Sequence, residues 1–143
     1  MIKTIIKKLT KTHPLKHGVK KASSKIIKKK LDILWSLIVK KRAGGVCEVC
    51  GKLTNLNSHH IVGRRVSVLR WDVRNGCCLC VSCHRFSNTS AHNNGTLFDE
   101  WMINNRPKDR KYVLEHHEDL FDKDFIRIEN YLKDELKEAE NDI

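Results

Sequence analysis

The fold of this chain is decided by residues 47–92, which read CEVCGKLTNLNSHHIVGRRVSVLRWDVRNGCCLCVSCHRFSNTSAH. All six cysteines lie in this stretch, and four of them form two Cys-x-x-Cys pairs, Cys47 with Cys50 and Cys80 with Cys83. A tight turn places both thiolates of such a pair on one side of a metal ion, and two pairs complete a tetrahedral shell at Zn–S distances of about 2.3 Å. We therefore predict a closed, structural Zn²⁺ site with four cysteine ligands.

The two remaining cysteines, Cys77 and Cys78, lie in a short apolar run. We expect them to be small apolar strand residues, although one of them could replace a cysteine of the second pair. Clustered cysteine pairs indicate a metal site in a reducing compartment more than a disulfide framework. The N-terminus lacks the apolar region and cleavage site of a secretory signal, and the sequence holds no apolar run of about 18 residues. We expect a cytoplasmic protein without membrane contact.

Histidines and an asparagine lie between and beside the cysteine pairs, in Ser58-His59-His60, Arg74-Asn75-Gly76 and Cys83-His84-Arg85. A neutral histidine with a pKa near 6.5 can deprotonate water at neutral pH. A divalent cation can neutralise a phosphodiester and stabilise its leaving oxygen. Adjacent strand residues point to opposite faces, so we expect His59 and His60 to have separate roles.

This arrangement, across residues 56–94, resembles the HNH endonuclease family. The resemblance implies an α+β fold: a small ββα-metal (His-Me finger) core, stapled by the four-cysteine zinc site, with flanking helices. It implies a metal-dependent DNA endonuclease that nicks duplex or branched DNA, with His60 as general base and Asn75 bracing the loop and orienting His60. His59 and His84 would bind one catalytic divalent cation.

A third ligand of that cation is either Asn88, one helical turn after His84, or His92, two turns after it. Asn88 is slightly favoured if a helix continues from Val81. The family often has aspartate where this chain has His59. A nitrogen-rich site shifts the expected preference from Mg²⁺ towards Mn²⁺, Ni²⁺, Co²⁺ or Zn²⁺.

The net charge of +11 is unevenly distributed. Residues 1–42 hold 14 of the 28 basic residues and a single acid, Asp32, whereas residues 43–143 are close to neutral. A basic segment of this kind is typical of proteins that contact nucleic acid, because each neutralised phosphate releases counterions. We predict DNA as the partner, contacted by Lys28, Lys29, Lys30, Arg64, Arg65, Arg70, Arg74 and Arg85. Trp71 is expected in the core.

The chain divides into a basic, flexible or conditionally helical arm, residues 1–30, and a nuclease domain, residues 31–143. Within that domain we place the zinc and ββα core at about 46–94 and C-terminal helices at 96–140. A helix is predicted over residues 31–41, strands over 58–62 and about 76–79, and a helix capped by Thr96. An apolar stripe at helical spacing indicates core packing, or else a dimer face: Phe121, Phe125, Ile128, Leu132 and Leu136. The protein is expected to be a monomer or a homodimer.

Two other functions compete with the nuclease. One is a non-catalytic, zinc-stapled DNA-binding module in a phage recombination or packaging complex, which shares the cysteines and the charge but does not require His60 or Asn75. The other is an RNA-directed nuclease or RNA-binding protein. Aromatic residues make up only 6% of the chain, which argues against a stacking platform for single strands. The compact size and the basic arm suggest a phage-encoded protein.

Overall fold

Helices surround a small two-stranded sheet in the computed structural model, which describes residues 24–141. In chain order the elements are α1 (Ser24–Arg42), β1 (Leu56–His60), β2 (Gly76–Cys80), α2 (Gly95–Asn105), α3 (Pro107–His116) and α4 (Phe125–Asn141). Two 3₁₀ turns, Ser67–Leu69 and Val73–Asn75, lie between the strands, and a π-helical turn, Ser82–Phe86, follows β2. The fold is α+β, as predicted.

Helix α1 covers Ser24–Arg42 among the described residues, so it extends well before residue 31, where the apolar pattern predicted its start. Leu31, Trp35 and Ile38 are buried at helical spacing. Ile27, one turn earlier, packs against the same core, so continuing the helix towards its N-terminus buries more apolar surface. Lys28, Lys29 and Lys30 therefore belong to α1, which fits the conditionally helical alternative for this end of the predicted arm. Residues 1–23 of that predicted arm lie outside the described residues.

Strands β1 and β2 are antiparallel, with Leu56 opposite Cys80 at one end and His60 opposite Gly76 at the other. Successive side chains of a strand point to opposite faces of the sheet, and different helices cover the two faces. Cys78 on one face joins the main core, which is built from α1, α4 and the segment before β2. Cys77 and Leu79 on the other face pack with Phe98 and Trp101 of α2. Strand β1 lies two residues earlier than predicted.

The C-terminal helices follow the predicted pattern with one correction. Asn94, and not Thr96, caps α2, because its Oδ1 accepts a hydrogen bond from the Leu97 amide at 3.1 Å. Pro107 begins α3, as expected of a residue that lacks an amide proton. The predicted apolar stripe of α4 and the segment before it packs on the main core through Leu132 and its neighbours, which confirms core packing. None of the helices in residues 24–141 is long and apolar enough to cross a membrane.

Gly76 marks the closest approach of α1 to the sheet, and we predict that Gly76→Ala destabilises the fold. A Cβ at this position would collide with Cγ2 of Val39 and lie 3.0 Å from Cζ2 of Trp35, two buried side chains of α1. Overpacking of this kind costs about 1–3 kcal/mol of unfolding free energy. Chemical denaturation measures the loss.

Gly95→Ala is the matched control, because a Cβ there meets no atom within 4 Å and Gly95 lies in the first turn of α2. Its unfolding free energy should stay equal or rise slightly. Equal stability of the two variants would contradict the close approach of α1 to β2.

Candidate metal centre

Four cysteines from two separate segments meet at one end of the sheet. The Sγ atoms of Cys47, Cys50, Cys80 and Cys83 all lie within 4.8 Å of one another, and those of Cys50 and Cys80 are 3.6 Å apart. Thiolates bound tetrahedrally at about 2.3 Å from one ion are separated by roughly 3.8 Å. The four cysteines can therefore hold a structural metal such as zinc.

Local backbone geometry brings each pair of thiolates together. In the first pair the amide of Gly51 donates to the Cys47 carbonyl at 2.8 Å, and Gly51 has a φ of 74°, which glycine adopts without strain. In the second pair Cys80 ends β2 and Cys83 lies in the π-helical turn. Cys77 and Cys78 are fully buried in the apolar clusters on the two faces of the sheet, as expected for small apolar strand residues.

Three histidines form a second cluster. One ring nitrogen of each of His59, His84 and His92 lies within 4.8 Å of the others. The Nε2 atoms of His84 and His92 are 3.1 Å apart. Two nitrogen ligands at about 2.05 Å from a tetrahedral ion are separated by roughly 3.3 Å. The spacing of these rings therefore suits a bound divalent cation.

His92 is the third member of this cluster because the chain turns back after the π-helical turn. The amide of His92 donates to the His84 carbonyl at 3.2 Å, and the amide of Ala91 donates to the Cys83 carbonyl at 2.9 Å. The helical turn ends at Phe86, so the predicted placement of Asn88 on the helical face of His84 is wrong. Asn88 is exposed, lies in the turn after that helix and does not line the cleft.

Burial keeps two of these histidines uncharged. Burial, together with the nearby His84, His92 and His60, lowers the pKa of His59 to about 3. Burial, with His92 and Arg85 nearby, lowers the pKa of His84 to about 4. Both imidazoles are therefore neutral at neutral pH, which is the form that binds metal ions.

His60, the last residue of β1, lies on the other face of the strand. Its ring stacks on Trp35 with centroids 3.8 Å apart and planes 14° from parallel. Its Nε2 lies 2.8 Å from the carbonyl oxygen of Arg70. Because a carbonyl can only accept, Nε2 carries the proton and Nδ1 keeps its lone pair. Within residues 24–141 this Nδ1 has no hydrogen-bond partner and is not buried.

One cleft joins both sets of histidines. Because β1 ends at His60, the side chains of His59 and His60 line the same cleft from opposite faces of the strand, together with His84 and His92. Burial lowers the pKa of His60 as well, so a neutral imidazole faces the cleft. The cleft places a possible cation site beside a histidine that can accept a proton.

Asn75 braces the loop between the strands, and its side chain makes no hydrogen bond to His60. The side chain is fully buried; its Oδ1 accepts from the Val62 amide at 2.7 Å. Its Nδ2 donates to the carbonyls of Val62 and Leu69 at 2.8 and 2.9 Å. The predicted bracing of the loop is present. His60 donates its own hydrogen bond to the Arg70 carbonyl and not to Asn75.

The predicted DNA-contacting residues have different surroundings. Arg64 and Arg85 line the cleft, and Arg65 is exposed in the adjoining loop. Arg70 and Arg74 instead form ion pairs with Asp32 and Asp109, at 2.8 and 3.0 Å. Lys30 pairs with Glu129 at 2.8 Å, whereas Lys28 and Lys29 have no ion pair within residues 24–141. Contact of all these side chains with DNA stays a prediction.

Among the cleft residues that sequence reasoning missed are Asp32 and Trp35 of α1. The available signal was that Asp32 is the single acid among residues 1–42. Trp35 carried no such signal, because it fits the apolar stripe of α1. Trp71, in contrast, is buried as predicted.

We predict that Cys50→Ser removes one equivalent of bound zinc from the purified protein. Cys50 is exposed, so the exchange leaves the packing intact while the metal loses one of four thiolates. Elemental analysis gives the zinc content, and the thiolate-to-metal absorption of the cobalt-loaded protein reports the ligand set. Cys77→Ala, at a buried cysteine outside the cluster, should retain the metal and the absorption. Retention of both in Cys50→Ser would exclude the four-cysteine site.

We also predict that His92→Ala weakens the second cation site by about 100-fold or more, since even loss of a supporting group costs 10–100-fold. Titration of the zinc-loaded protein with Ni²⁺ measures the affinity. Asn88→Ala is the matched control and should bind Ni²⁺ as the wild type does. Weaker Ni²⁺ binding in Asn88→Ala, with unchanged binding in His92→Ala, would show that Asn88 and not His92 is the third ligand.

Comparison of the chain with family models, curated proteins and solved structures finds no match. The resemblance to the HNH family therefore stays a prediction from residues 56–94. Functional inference depends on the geometry of the cysteine cluster and of the histidine cleft.

Proposed function

We propose that this protein is a metal-dependent DNA endonuclease of the HNH type, in which β1, β2 and the π-helical turn form a ββα-metal core. One observation carries the proposal. Three histidine nitrogens that could bind one cation lie in the same cleft as His60, whose Nε2 is engaged by the Arg70 carbonyl and whose Nδ1 keeps its lone pair. A structural site alone does not require this second set of ligands, because the cysteines already provide four.

In the proposed reaction His60 is the general base. The Arg70 carbonyl holds the proton on Nε2, so Nδ1 can accept a proton from a water molecule that attacks the phosphorus. The bond between phosphorus and the 3′ oxygen breaks, and the leaving oxygen takes a proton from solvent, which leaves a 5′ phosphate and a 3′ hydroxyl. Burial lowers the pKa of His60, which favours the neutral imidazole that can accept that proton.

His59, His84 and His92 would hold the divalent cation. The bound cation would act as a Lewis acid on the phosphate and stabilise charge on the leaving oxygen. Three nitrogen ligands favour Mn²⁺, Ni²⁺, Co²⁺ or Zn²⁺ over Mg²⁺, which prefers oxygen. Arg64 and Arg85 at the cleft would position the substrate through its phosphates without reading bases.

Nicking of supercoiled plasmid tests the proposal. We expect the wild-type protein to nick with Mn²⁺ or Ni²⁺ more rapidly than with Mg²⁺. In His60→Ala the rate should fall by about 10²–10⁴-fold, the contribution of a general base, while DNA binding is unchanged. Gel electrophoresis measures cutting, and fluorescence anisotropy measures binding.

His117→Ala is the control for loss of a histidine, since His117 caps the far end of α3 and is outside the cleft. If neither the wild type nor His60→Ala cuts plasmid or branched DNA with any of these metals while both bind DNA, the catalytic function is wrong. The zinc-stapled DNA-binding module would then be the better account.

A further inference from the structure

Helix α1 contributes a carboxylate to the wall of the cleft, although α1 lies outside the stretch that resembles the nuclease family. The carboxylate of Asp32 accepts three hydrogen bonds from two adjacent residues. Nε and Nη2 of Arg70 donate at 3.0 and 2.8 Å, and Nε1 of Trp71 donates at 2.9 Å. A two-pronged pair of this kind fixes the guanidinium in direction as well as in distance.

Three sets of hydrogen bonds therefore fix the position of Arg70. Its side chain is bound by Asp32, its backbone carbonyl accepts from Nε2 of His60 at 2.8 Å, and the preceding carbonyl, of Leu69, accepts from Asn75 at 2.9 Å. The Arg70 carbonyl can therefore act as a fixed acceptor. A fixed acceptor at Nε2 selects the tautomer of His60 whose Nδ1 is free to accept a proton.

Trp35, one turn after Asp32, restrains the same imidazole in a second direction. Its indole is only 2% exposed, its Nε1 donates to the Asp72 carbonyl at 2.9 Å, and its ring stacks against that of His60. The hydrogen bond to the Arg70 carbonyl prevents the His60 ring from rotating within its own plane. The stack on Trp35 prevents the ring from tilting out of that plane. A flip of the imidazole would break the hydrogen bond.

We propose that Asp32 is a positioning residue, which acts through Arg70 and Trp71 to hold His60 in its Nε2-protonated tautomer. Helix α1 is then part of the catalytic apparatus and not only a cover for the sheet. The catalytic consequence rests on the proposed function, since it assumes that His60 is the base. The tautomer itself does not, because it can be measured without DNA.

Asp32→Asn tests this role. The amide keeps the size of the side chain, but it replaces one acceptor with a donor that faces the N–H groups of Arg70. We expect kcat for plasmid nicking to fall by about 10- to 100-fold, as misplacement of a reacting group does, with KM nearly unchanged. In ¹⁵N-histidine NMR of the zinc-loaded full chain, His60 should change from one tautomer to a mixture.

Asp99→Asn is the matched control, because Asp99 forms another two-pronged pair, with Arg110 at 2.7 and 2.9 Å, on residues that do not line the cleft. It should leave both kcat and the His60 resonances unchanged. If Asp32→Asn does not fold, Arg70→Lys replaces it, since that exchange keeps the charge but loses the two-pronged geometry of the pair with Asp32. In this variant we expect a smaller fall in kcat and a less complete change of the His60 tautomer than in Asp32→Asn.

The outcomes separate the two proposals. A wild-type protein that never cuts overturns the proposed function, and the NMR comparison still decides whether Asp32 sets the tautomer. A single, unchanged His60 tautomer in the folded Asp32 variant, or in Arg70→Lys where it replaces that variant, overturns the positioning role. An unchanged kcat in an active protein overturns it as well.

Discussion

A two-stranded sheet with five residues in each strand is not stable by itself, so both of its faces must be covered. Helix α1 covers one face so closely that no side chain fits at Gly76, and Phe98 and Trp101 of α2 cover the other. The cysteine cluster lies at the end where Leu56 meets Cys80. The opposite end, at His60, is left to form the cleft.

Strand alternation at that end gives two neighbouring histidines different surroundings. His59 turns towards α2, His84 and His92, where burial keeps it neutral as a possible ligand. His60 turns towards α1, where Trp35 and the Arg70 carbonyl hold its ring. Covering both faces of the sheet therefore also produces two kinds of histidine, and the end of the strand lets both reach one cleft.

The arginines of the loop between the strands divide in a similar way. Arg70 and Arg74 connect this loop to α1 and α3 through half-buried carboxylates, and Arg74 also lies over the ring of Tyr112 at 3.9 Å. Arg64 and Arg65 remain in the outer part of the loop. A single basic loop thus stabilises the position of the His60 acceptor and leaves cations beside the cleft, where a phosphate backbone would lie in the proposed function.

The sequence by itself determined the features that depend on local spacing. These are the two cysteine pairs, the apolar stripes of α1 and α4, and His59, His60 and His84 as the residues of interest. Only the tertiary structure decided that His92 joins His59 and His84, that Arg70 is bound to Asp32, and that α1 includes residues 24–30. The physical reason is that each of these depends on contacts with side chains or backbone distant in the sequence, which periodicity and spacing do not encode.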